Sequence, residues 1–344
     1  MTGHPHQEKA LGYAHVFVAG AGAWGTALAL VLHRAGAKVT LWTRNEKVVS
    51  SIKETGMNQP YLPAIPLPKD IAVTTNENRL SDADAFLCAI PAQYMRDQLP
   101  RFHDVVGQTS LPVLLSSKGI EQSTGLLMHQ VLKEVWPTAK GAVVSGPSFA
   151  TDVAKGLPTA VTVAAFEEAH GERWLHTLAA PNFRPYYSDD VLGVELGGAI
   201  KNVLAIACGV VEGKGLGESA KAALITRGFA ECVRFAVGQG AQGETLNGLS
   251  GLGDIILTCS SRQSRNMSLG YEIGQGGLAK DILAGRSTVA EGAATAPILL
   301  NLAQKAGVDM PVAAAVVALL EEGASVDEVV RDLLDRPLKK ETEV

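Results

Sequence analysis

The feature that most constrains the fold of this chain is a cluster of three glycines close to its beginning. Residues 20–25 read GAGAWG, a G-x-G-x-x-G pattern that lies between an apolar, strand-like run and an Ala/Leu-rich helical run. Glycines in such a pattern allow a tight turn, close approach of the backbone to a pyrophosphate, and close packing of helix on strand. The N–H groups at the start of the helix then face the anion. A Gly-rich turn can also serve packing alone, but this context favours dinucleotide binding at Gly20, Gly22 and Gly25.

The pattern of apolar runs predicts two domains of different class. Strand-like runs occur at residues 15–19, 38–43, 85–90, 112–116 and 142–145, and a helical run occupies residues 26–35. Strands that alternate with helices predict a parallel sheet. From residue 191 the sequence changes to long helical patterns at 191–211, 219–237 and 312–322. We therefore predict an α/β N-terminal Rossmann domain with a doubly wound, mostly parallel sheet at residues 1–190, followed by an all-α C-terminal domain at 191–344.

Composition and charge exclude several classes of protein. With 344 residues, 47% of them hydrophobic, the chain can fill the cores of two domains. A net charge of -5 disfavours nucleic acid and anionic membranes as partners. Residues 16–32 are nearly uncharged, but their three glycines argue against a membrane span or a signal peptide. The four cysteines form no C-x-x-C pair, which favours a reducing cytoplasm.

The end of the second predicted strand bears on the choice of cofactor. A typical NAD site places Asp or Glu on the ribose hydroxyls about 20 residues beyond the glycines, but residues 42–45 read WTRN. Arg44 suits a 2′-phosphate, so the sequence favours NADP over NAD. A solvated Arg after a strand is the alternative, and Glu46 lies close by. Trp24 either packs on the sheet as a core aromatic or covers the cofactor.

Lys118 is a candidate for binding or chemistry because of its place after a predicted strand. Ligands of a doubly wound sheet gather outside the carboxyl ends of its strands. Lys118 directly follows the run 113–117 and precedes Gly119. An ammonium at this point can reach a carbonyl or phosphate oxygen, although most lysines are surface residues.

Lys201 is a stronger candidate for acid/base chemistry. Its face of the predicted helix carries Gly197, Gly198 and Ala205, which have almost no bulk. Such a gap suits the entry of a small molecule, and burial lowers the pKa of a lysine toward the range useful for proton transfer. The alternative is a lysine that snorkels from a close helix–helix contact.

Residues 251–266 predict a polar loop suited to phosphate. The segment begins with GLGD and ends with SRN at Ser264, Arg265 and Asn266, with hydroxyl side chains between. A guanidinium supplies a bidentate fork, and small donors complete the shell around a phosphate. A solvated polar loop is the alternative. Asp254 would be an odd member of an anion site, so we expect it to orient Lys201 and stabilise its charged form.

Taken in order, these motifs resemble those of NAD(P)-dependent glycerol-3-phosphate dehydrogenases over roughly residues 16–335. The matching stretches are GAGAWGTALA at 20–29, YLP at 61–63, KG at 118–119, SGPSFA at 145–150, GGAIKN at 197–202, TRG at 226–228, GLGD at 251–254, SRN at 264–266 and EG at 291–292. The chain departs from the family at Glu218 and Ser219, where Asp-Asn is frequent, and at Ala64, where Gly is frequent.

The resemblance implies a reaction and a set of site residues. The reaction is reduction of dihydroxyacetone phosphate to sn-glycerol 3-phosphate by NADPH or NADH, a reversible step that supplies glycerophospholipid synthesis. Lys201 is implied as the proton donor and acceptor, with Lys118 and Asp254 beside it. The implied substrate contacts are Lys118, Gly146, Ser148, Lys201, Asn202, Asp254, Ser264, Arg265 and Asn266. The implied cofactor contacts are Gly20, Gly22, Ala23, Trp24, Gly25, Arg44, Lys118, Ala150, Arg265, Val289 and Glu291.

The expected partner is therefore a small phosphorylated substrate, with no nucleic acid, no membrane span and no metal. A cytoplasmic homodimer is the default assembly, since two-fold dimers are the commonest oligomers. Two alternatives stay open at this point. One is a dehydrogenase of β-hydroxyacids, which would also use a helix-borne Lys-Asn pair, and the other is a catalytically silent NADP-binding redox sensor.

Overall fold

The computed structural model describes residues 12–286, 290–338 and 340–341, which form two compact units. The first unit comprises residues 12–117 and Met128–Val194, and the second comprises Lys118–Leu127 with the described residues from Glu195 onward. The division predicted at residue 190 left segment 118–127 in the N-terminal domain, whereas this segment belongs to the second unit. Lys118 is its first residue.

The first unit is built on a sheet of eight strands. The strands of the unit are β1 (His15–Ala19), β2 (Lys38–Trp42), β3 (Met57–Asn58), β4 (Leu62–Pro66), β5 (Ala72–Thr74), β6 (Ala85–Cys88), β7 (Pro112–Leu115), β8 (Lys140–Ser145), β9 (Thr159–Ala165) and β10 (Phe183–Ser188). Strands β3 and β4 form a separate antiparallel pair, and the large sheet has the order β10-β9-β8-β7-β6-β1-β2-β5. Every neighbouring pair in it is parallel except β8 with β9. The predicted doubly wound, mostly parallel sheet is confirmed.

Helices and short turns connect these strands. The helices of the first unit are α1 (Ala23–Arg34), α2 (Glu46–Thr55), α3 (Met95–Val106), α4 (Met128–Val135), α5 (Ala150–Lys155) and α6 (Glu168–Leu178), with 3-10 turns at Glu77–Asp82 and Ala92–Tyr94. Strand β1 is buried at all five positions. Burial on both faces explains why this strand reads as a continuous apolar run instead of an alternating one.

The second unit is helical. Its helices are α7 (Val191–Lys214, whose first four residues belong to the first unit), α8 (Glu218–Gly238), α9 (Gly243–Leu246), α10 (Asp254–Cys259), α11 (Arg265–Gly274), α12 (Ala279–Gly285), α13 (Glu291–Lys305), α14 (Pro311–Val317) and α15 (Val326–Leu334), with π-helical turns at Leu249–Gly253 and Ala318–Glu322. The predicted all-α domain is confirmed. Helix α7 is long and apolar enough to cross a membrane, but 89% of its most apolar window is buried inside the protein, as in the core helix of a soluble domain.

Helices α7 and α11 are in backbone contact through glycines on both. A Cβ on Gly209 would lie 2.1 Å from the carbonyl oxygen of Met267, and a Cβ on Gly270 would lie 1.9 Å from that of Ile206. No larger residue fits at either position, because such distances are far inside van der Waals contact. The contact fixes the first turn of α11 relative to α7, which carries Lys201.

Candidate active site

Three charged side chains converge in the interior of the second unit. The Lys201 ammonium donates to Asp254 Oδ1 at 2.5 Å, and the Lys118 ammonium donates to Asp254 Oδ2 at 2.6 Å. Asp254 is completely buried, and the side chains of Lys201 and Lys118 are 11% and 15% exposed. Two ammonium groups share one carboxylate, so the cluster carries a net positive charge.

Burial and the neighbouring charges shift the proton affinities in this cluster. Desolvation lowers the pKa of Lys201 to about 8; the Lys118 charge lowers it too, whereas Asp254 opposes the shift. Burial alone would raise the pKa of the Asp254 carboxyl, but the two ammonium groups outweigh it and hold that pKa below its usual range. Lys201 can therefore exchange a proton near neutral pH, while Asp254 stays ionised.

Helix α10 brings Asp254 and Thr258 to the same lysine. The Lys201 ammonium donates to Thr258 Oγ1 at 3.1 Å, and residues four apart share a helix face. The sequence predicted one polar loop over residues 251–266, and that prediction was wrong for most of the segment. A π-helical turn, helix α10 and the start of α11 occupy it. The role of Thr258 was missed for this reason, although its spacing from Asp254 was a signal for it.

The part of the predicted gap around Lys201 that lies at Gly197 is filled by the chain itself. A Cβ on Gly197 would lie 2.6 Å from the carbonyl oxygen of Ser250 and 3.2 Å from the Cα of Gly251. Gly197 therefore admits the π-helical turn at Leu249–Gly253, which leads directly into Asp254. At Gly197, the small face of α7 accommodates the backbone that carries the partner of Lys201.

The start of α11 presents the candidate phosphate ligands. The Ser264 hydroxyl caps the helix by accepting the N–H of Met267 at 3.3 Å. Arg265 is exposed at the first helical position and lines an open cleft of about 520 Å³ with Arg262 and Arg286. Both of these other arginines pair with carboxylates, whereas the Arg265 guanidinium has no carboxylate partner among the described residues. Arg265 is thus the arginine available to an anion.

The side chains of Asn202 and Asn266 are buried and lie side by side. In the sequence, Asn202 follows Lys201 and Asn266 follows Arg265. Asn266 Nδ2 donates to Asn202 Oδ1 at 2.9 Å, and Asn266 Oδ1 accepts the N–H of Gly292 at 3.0 Å. Gly292 follows Glu291, which is the first residue of α13 and is half-buried. Two predicted substrate residues are therefore hydrogen-bonded to each other and to Gly292, the chain neighbour of the predicted cofactor residue Glu291.

In the first unit, the three glycines have the geometry that a dinucleotide requires. Gly20 has a φ of +115°, and a Cβ there would lie 2.7 Å from the carbonyl oxygen of Ala89. A Cβ on Gly25 would lie 1.8 Å from the Gly20 carbonyl oxygen, whereas one on Gly22 would have no atom within 4 Å. Helix α1 begins at Ala23 with no side-chain cap and no acidic residue in its first turn. Its first N–H groups are therefore available to a pyrophosphate, and the space beside Gly22 is open. The three glycines and the start of α1 thus fit a dinucleotide cofactor.

The side chains near the glycines favour the same ligand. Trp24 is half-buried against the core of the sheet, and its Nε1 has no hydrogen-bond partner among the residues that the structure describes. Arg44 is exposed after β2, with its guanidinium carbon 5.9 Å from the ring centroid of Tyr94. Glu46 accepts the Thr75 hydroxyl at 2.7 Å, and no carboxylate pairs with Arg44 in the described part of the chain. Glu46 therefore does not pair with Arg44, and its closeness in the sequence does not argue against a 2′-phosphate at Arg44.

Three of the remaining predicted residues follow β8 in the chain. Gly146 follows β8 with a φ of +142°, the Ser148 hydroxyl donates to the Gly146 carbonyl at 3.0 Å, and Ala150 opens α5. All three belong to the first unit. Val289, predicted as a cofactor contact, lies outside the described residues.

Comparisons with known proteins agree with this geometry. The profile of the NAD-dependent glycerol-3-phosphate dehydrogenase N-terminus matches residues 15–170, and that of the C-terminus of the same enzyme matches residues 190–331. The chain belongs to this family. The glycerol-3-phosphate dehydrogenase [NAD(P)+] of Parvibaculum lavamentivorans is 50% identical over 96% of this chain and 99% of its own length. That of Caulobacter vibrioides is 51% identical over 96% and 99%. The crystal structure of glycerol-3-phosphate dehydrogenase from Coxiella burnetii has a TM-score of 0.89 at 36% identity, over 95% of this chain and all of that one.

Family membership decides between the alternatives that the sequence left open. Glycerol-3-phosphate dehydrogenases are NAD(P)-dependent oxidoreductases, so the chain is placed among enzymes and not among silent cofactor sensors. It is also placed apart from the dehydrogenases of β-hydroxyacids. The predicted resemblance is confirmed over nearly the whole chain.

Proposed function

We propose that this enzyme reduces dihydroxyacetone phosphate to sn-glycerol 3-phosphate with NADPH or NADH, and catalyses the reverse reaction. The observation that carries the proposal is the buried cluster in which Lys201 and Lys118 share the Asp254 carboxylate. A proton donor with a pKa near 8, held in a positively charged and largely dry environment, suits reduction of a ketone.

Lys201 acts as the general acid in this proposal. When bound, the reduced nicotinamide supplies the hydride that adds to the ketone carbon. Lys201 donates a proton to the oxygen of the forming alkoxide, and the reverse reaction returns that proton to its neutral amine. Lys118 adds positive charge near the developing oxyanion, an effect worth roughly 3 kcal/mol in a water-excluded site. Asp254 touches both ammonium groups and keeps Lys201 protonated.

The phosphate of the substrate is assigned to the start of α11. Arg265 supplies the guanidinium, and Ser264, Asn202 and Asn266 belong to the same region of the second unit. Gly146 and Ser148 are proposed as further substrate contacts on the first unit. Phosphate binding away from the reacting carbon converts binding energy into orientation of the ketone.

The cofactor is assigned to the glycine loop of the first unit. Gly20, Gly22 and Gly25 with Ala23 hold the pyrophosphate at the start of α1, and Trp24 covers it. Arg44, which has no carboxylate partner within residues 12–286, 290–338 and 340–341, supports a preference for NADP through the 2′-phosphate. Ala150, Lys118, Arg265, Val289 and Glu291 complete the proposed set.

We further propose a cytoplasmic location and a homodimer. All four cysteines are free and buried, which supports a reducing compartment. The product is a precursor of glycerophospholipids, so the reduction direction would supply lipid synthesis. Sedimentation of the purified chain tests the dimer directly.

The deciding experiment follows NADPH absorbance with dihydroxyacetone phosphate for the wild type and Lys201→Met. Asp254 keeps Lys118 as its partner in this variant, so the fold should survive. Lys214→Ala is the matched control, because Lys214 lies on the same helix and pairs with the exposed Asp327. We expect wild-type turnover, near-abolition in Lys201→Met and full activity in Lys214→Ala. No turnover by the wild type with either NADPH or NADH would refute the proposal.

A further inference from the structure

Asn58 on strand β3 contacts the glycine loop of the first unit from inside the protein. Its Nδ2 donates to the carbonyl oxygen of Ala21 at 2.9 Å and to Thr26 Oγ1 at 2.8 Å, and the residue is completely buried. Ala21 lies between Gly20 and Gly22 in the loop, and Thr26 lies near the start of α1. The contact with Ala21 joins residues 37 positions apart, and no sequence motif indicated it.

The Asn58 amide is oriented by the Ala21 carbonyl. A carbonyl oxygen can only accept a hydrogen bond, so the nitrogen of the amide must face it. The Asn58 oxygen is then left without a hydrogen-bond partner among the residues that the structure describes, although it is buried. A buried oxygen without a partner costs free energy, and an apolar side chain of similar size would avoid that cost. Packing alone therefore does not account for an asparagine at this position, whereas the donor that it offers to Ala21 does.

The hydrogen bond to Ala21 fixes the direction of the next N–H in the loop. The peptide between Ala21 and Gly22 is planar and trans, so its C=O and its N–H point in opposite directions. Because Asn58 holds the carbonyl, the Gly22 N–H points away from Asn58. This N–H has no acceptor in the described part of the chain. It is therefore available to an anion on the far side of the loop.

The loop needs this restraint because its own backbone supplies little. Rotation of the peptide between Ala21 and Gly22 changes the φ of Gly22, and a glycine tolerates φ of either sign. A Cβ on Gly22 would meet no atom within 4 Å, so the surroundings leave room for such a rotation. In the rotated peptide the Ala21 carbonyl would replace the Gly22 N–H on the far side of the loop, and its partial negative charge would repel a pyrophosphate.

We propose that Asn58 is a positioning residue for the cofactor, which holds the peptide between Ala21 and Gly22 with its N–H turned toward the pyrophosphate. The inference rests on the proposed function, because it takes the pyrophosphate to lie at the glycine loop. Asn58 is completely buried and does not contact the cofactor itself. The three glycines make room for the cofactor, whereas Asn58 decides which way the peptide faces.

The first test compares Asn58→Leu with Thr26→Val by fluorescence titration with NADPH. Asn58→Leu removes both hydrogen bonds of the amide, whereas Thr26→Val removes the one to Thr26 and keeps the one to Ala21. The affinity for NADPH should fall roughly 10- to 100-fold in Asn58→Leu, as for the loss of one hydrogen bond to a charged group, and less than about threefold in Thr26→Val. The KM for dihydroxyacetone phosphate at saturating NADPH should stay unchanged in both. Equal losses of NADPH affinity in the two variants would overturn the inference.

Asn58→Asp tests the same bond if Asn58→Leu does not fold. The carboxyl that it introduces has the shape of the amide, and it can donate to the Ala21 carbonyl only while it is protonated. Burial raises the pKa of such a carboxyl. The NADPH affinity of this variant should match that of the wild type while the carboxyl is protonated and should fall as it ionises. An affinity that does not follow this ionisation would overturn the inference.

These outcomes are distinguishable from failure of the proposed function. That failure would appear in the wild type, as an absence of turnover of dihydroxyacetone phosphate. Failure of the present inference would appear only in the comparison of the position 58 variants with the wild type and Thr26→Val.

Discussion

The Asp254 carboxylate accepts a hydrogen bond from the buried Lys201 ammonium at 2.5 Å. Its second oxygen accepts a hydrogen bond from Lys118, and Asp254 is completely buried, so the carboxylate is shielded from solvent. A buried carboxylate that stays ionised can tune the lysine but cannot replace it as the acid. The pH dependence of the enzyme should therefore report Lys201.

The first prediction concerns the two directions of the reaction. Because the pKa of Lys201 is lowered to about 8, ketone reduction, which needs the protonated amine, should decline as the pH rises through about 8. Alcohol oxidation, which needs the neutral amine, should increase over the same interval. Profiles of kcat/KM against pH for ketone reduction and for alcohol oxidation check this. Profiles that rise or fall together would contradict it.

The second prediction sets two variants against each other. Asp254→Asn removes the charge that favours protonated Lys201, so the decline in reduction should move to lower pH. Lys118→Met removes a charge that disfavours it, so the decline should move to higher pH. Both variants should also lose activity, by about 100-fold for a missing electrostatic partner. Shifts in the same direction would mean that another group titrates.

The third prediction tests the choice of cofactor at Arg44. Arg44→Ala should raise the KM for NADPH roughly 10- to 100-fold, because charge-assisted hydrogen bonds to the 2′-phosphate are lost. The KM for NADH should change less than about twofold, since NADH lacks that phosphate. Lys47→Ala, an exposed lysine at the start of α2, is the control for a general loss of surface charge. An equal effect on both cofactors would exclude the 2′-phosphate as the ligand of Arg44.

The fourth prediction contrasts two glycines of one motif. Gly25→Ala should destabilise the first unit severely, because its Cβ would lie 1.8 Å from the Gly20 carbonyl oxygen. Gly22→Ala meets no atom within 4 Å, so its melting temperature should match the wild type while its affinity for NADPH falls. Thermal unfolding and NADPH fluorescence titration measure the two effects. Wild-type NADPH affinity in Gly22→Ala would mean that the pyrophosphate lies elsewhere.

The fifth prediction concerns a buried carboxyl remote from the chemistry. Glu231 accepts the N–H of Val312 at 2.9 Å, and burial raises its pKa from 4.5 to about 7. A group whose pKa is raised by folding stabilises the protein fully below its unfolded value and loses that contribution as the pH rises through the folded value. The free energy of unfolding should therefore fall by on the order of 3 kcal/mol between about pH 4.5 and pH 7 from this group.

Glu231→Gln keeps an oxygen for the backbone N–H and removes the ionisation. Its stability should depend less on pH and should exceed that of the wild type above the folded pKa. Urea unfolding on either side of that pKa measures the difference. The same pH slope in both proteins would show that Glu231 does not titrate on folding.

Several elements of the first unit could be predicted because their signals are local. Strand β1 and the glycine turn are found where the sequence predicted them, since a buried parallel strand and a G-x-G-x-x-G turn each have a pattern of their own. Strands β9 and β10 were not predicted. The first is rich in Ala and Thr, and the second carries Pro185 and exposed side chains at the edge of the sheet, so neither shows a continuous apolar run.

Other features depended on residues far apart in the chain. The sequence indicated Lys201, Lys118 and Asp254 as candidates, but Lys118 and Asp254 are 136 positions apart, and no periodicity reports a contact over that distance. Gly197 was taken for part of a ligand gap, because a sequence does not distinguish space for a substrate from space for another backbone.

The sequence by itself determined the fold class, the glycine loop, the family and the charged residues of the proposed site, because each depends on local pattern or residue type. Only the tertiary structure decided that two lysines share one carboxylate, that Gly197 admits the turn leading to Asp254, and that Asn266 bridges Asn202 and Gly292. These are properties of distance and burial, which also set the pKa of Lys201. They arise when distant segments pack together.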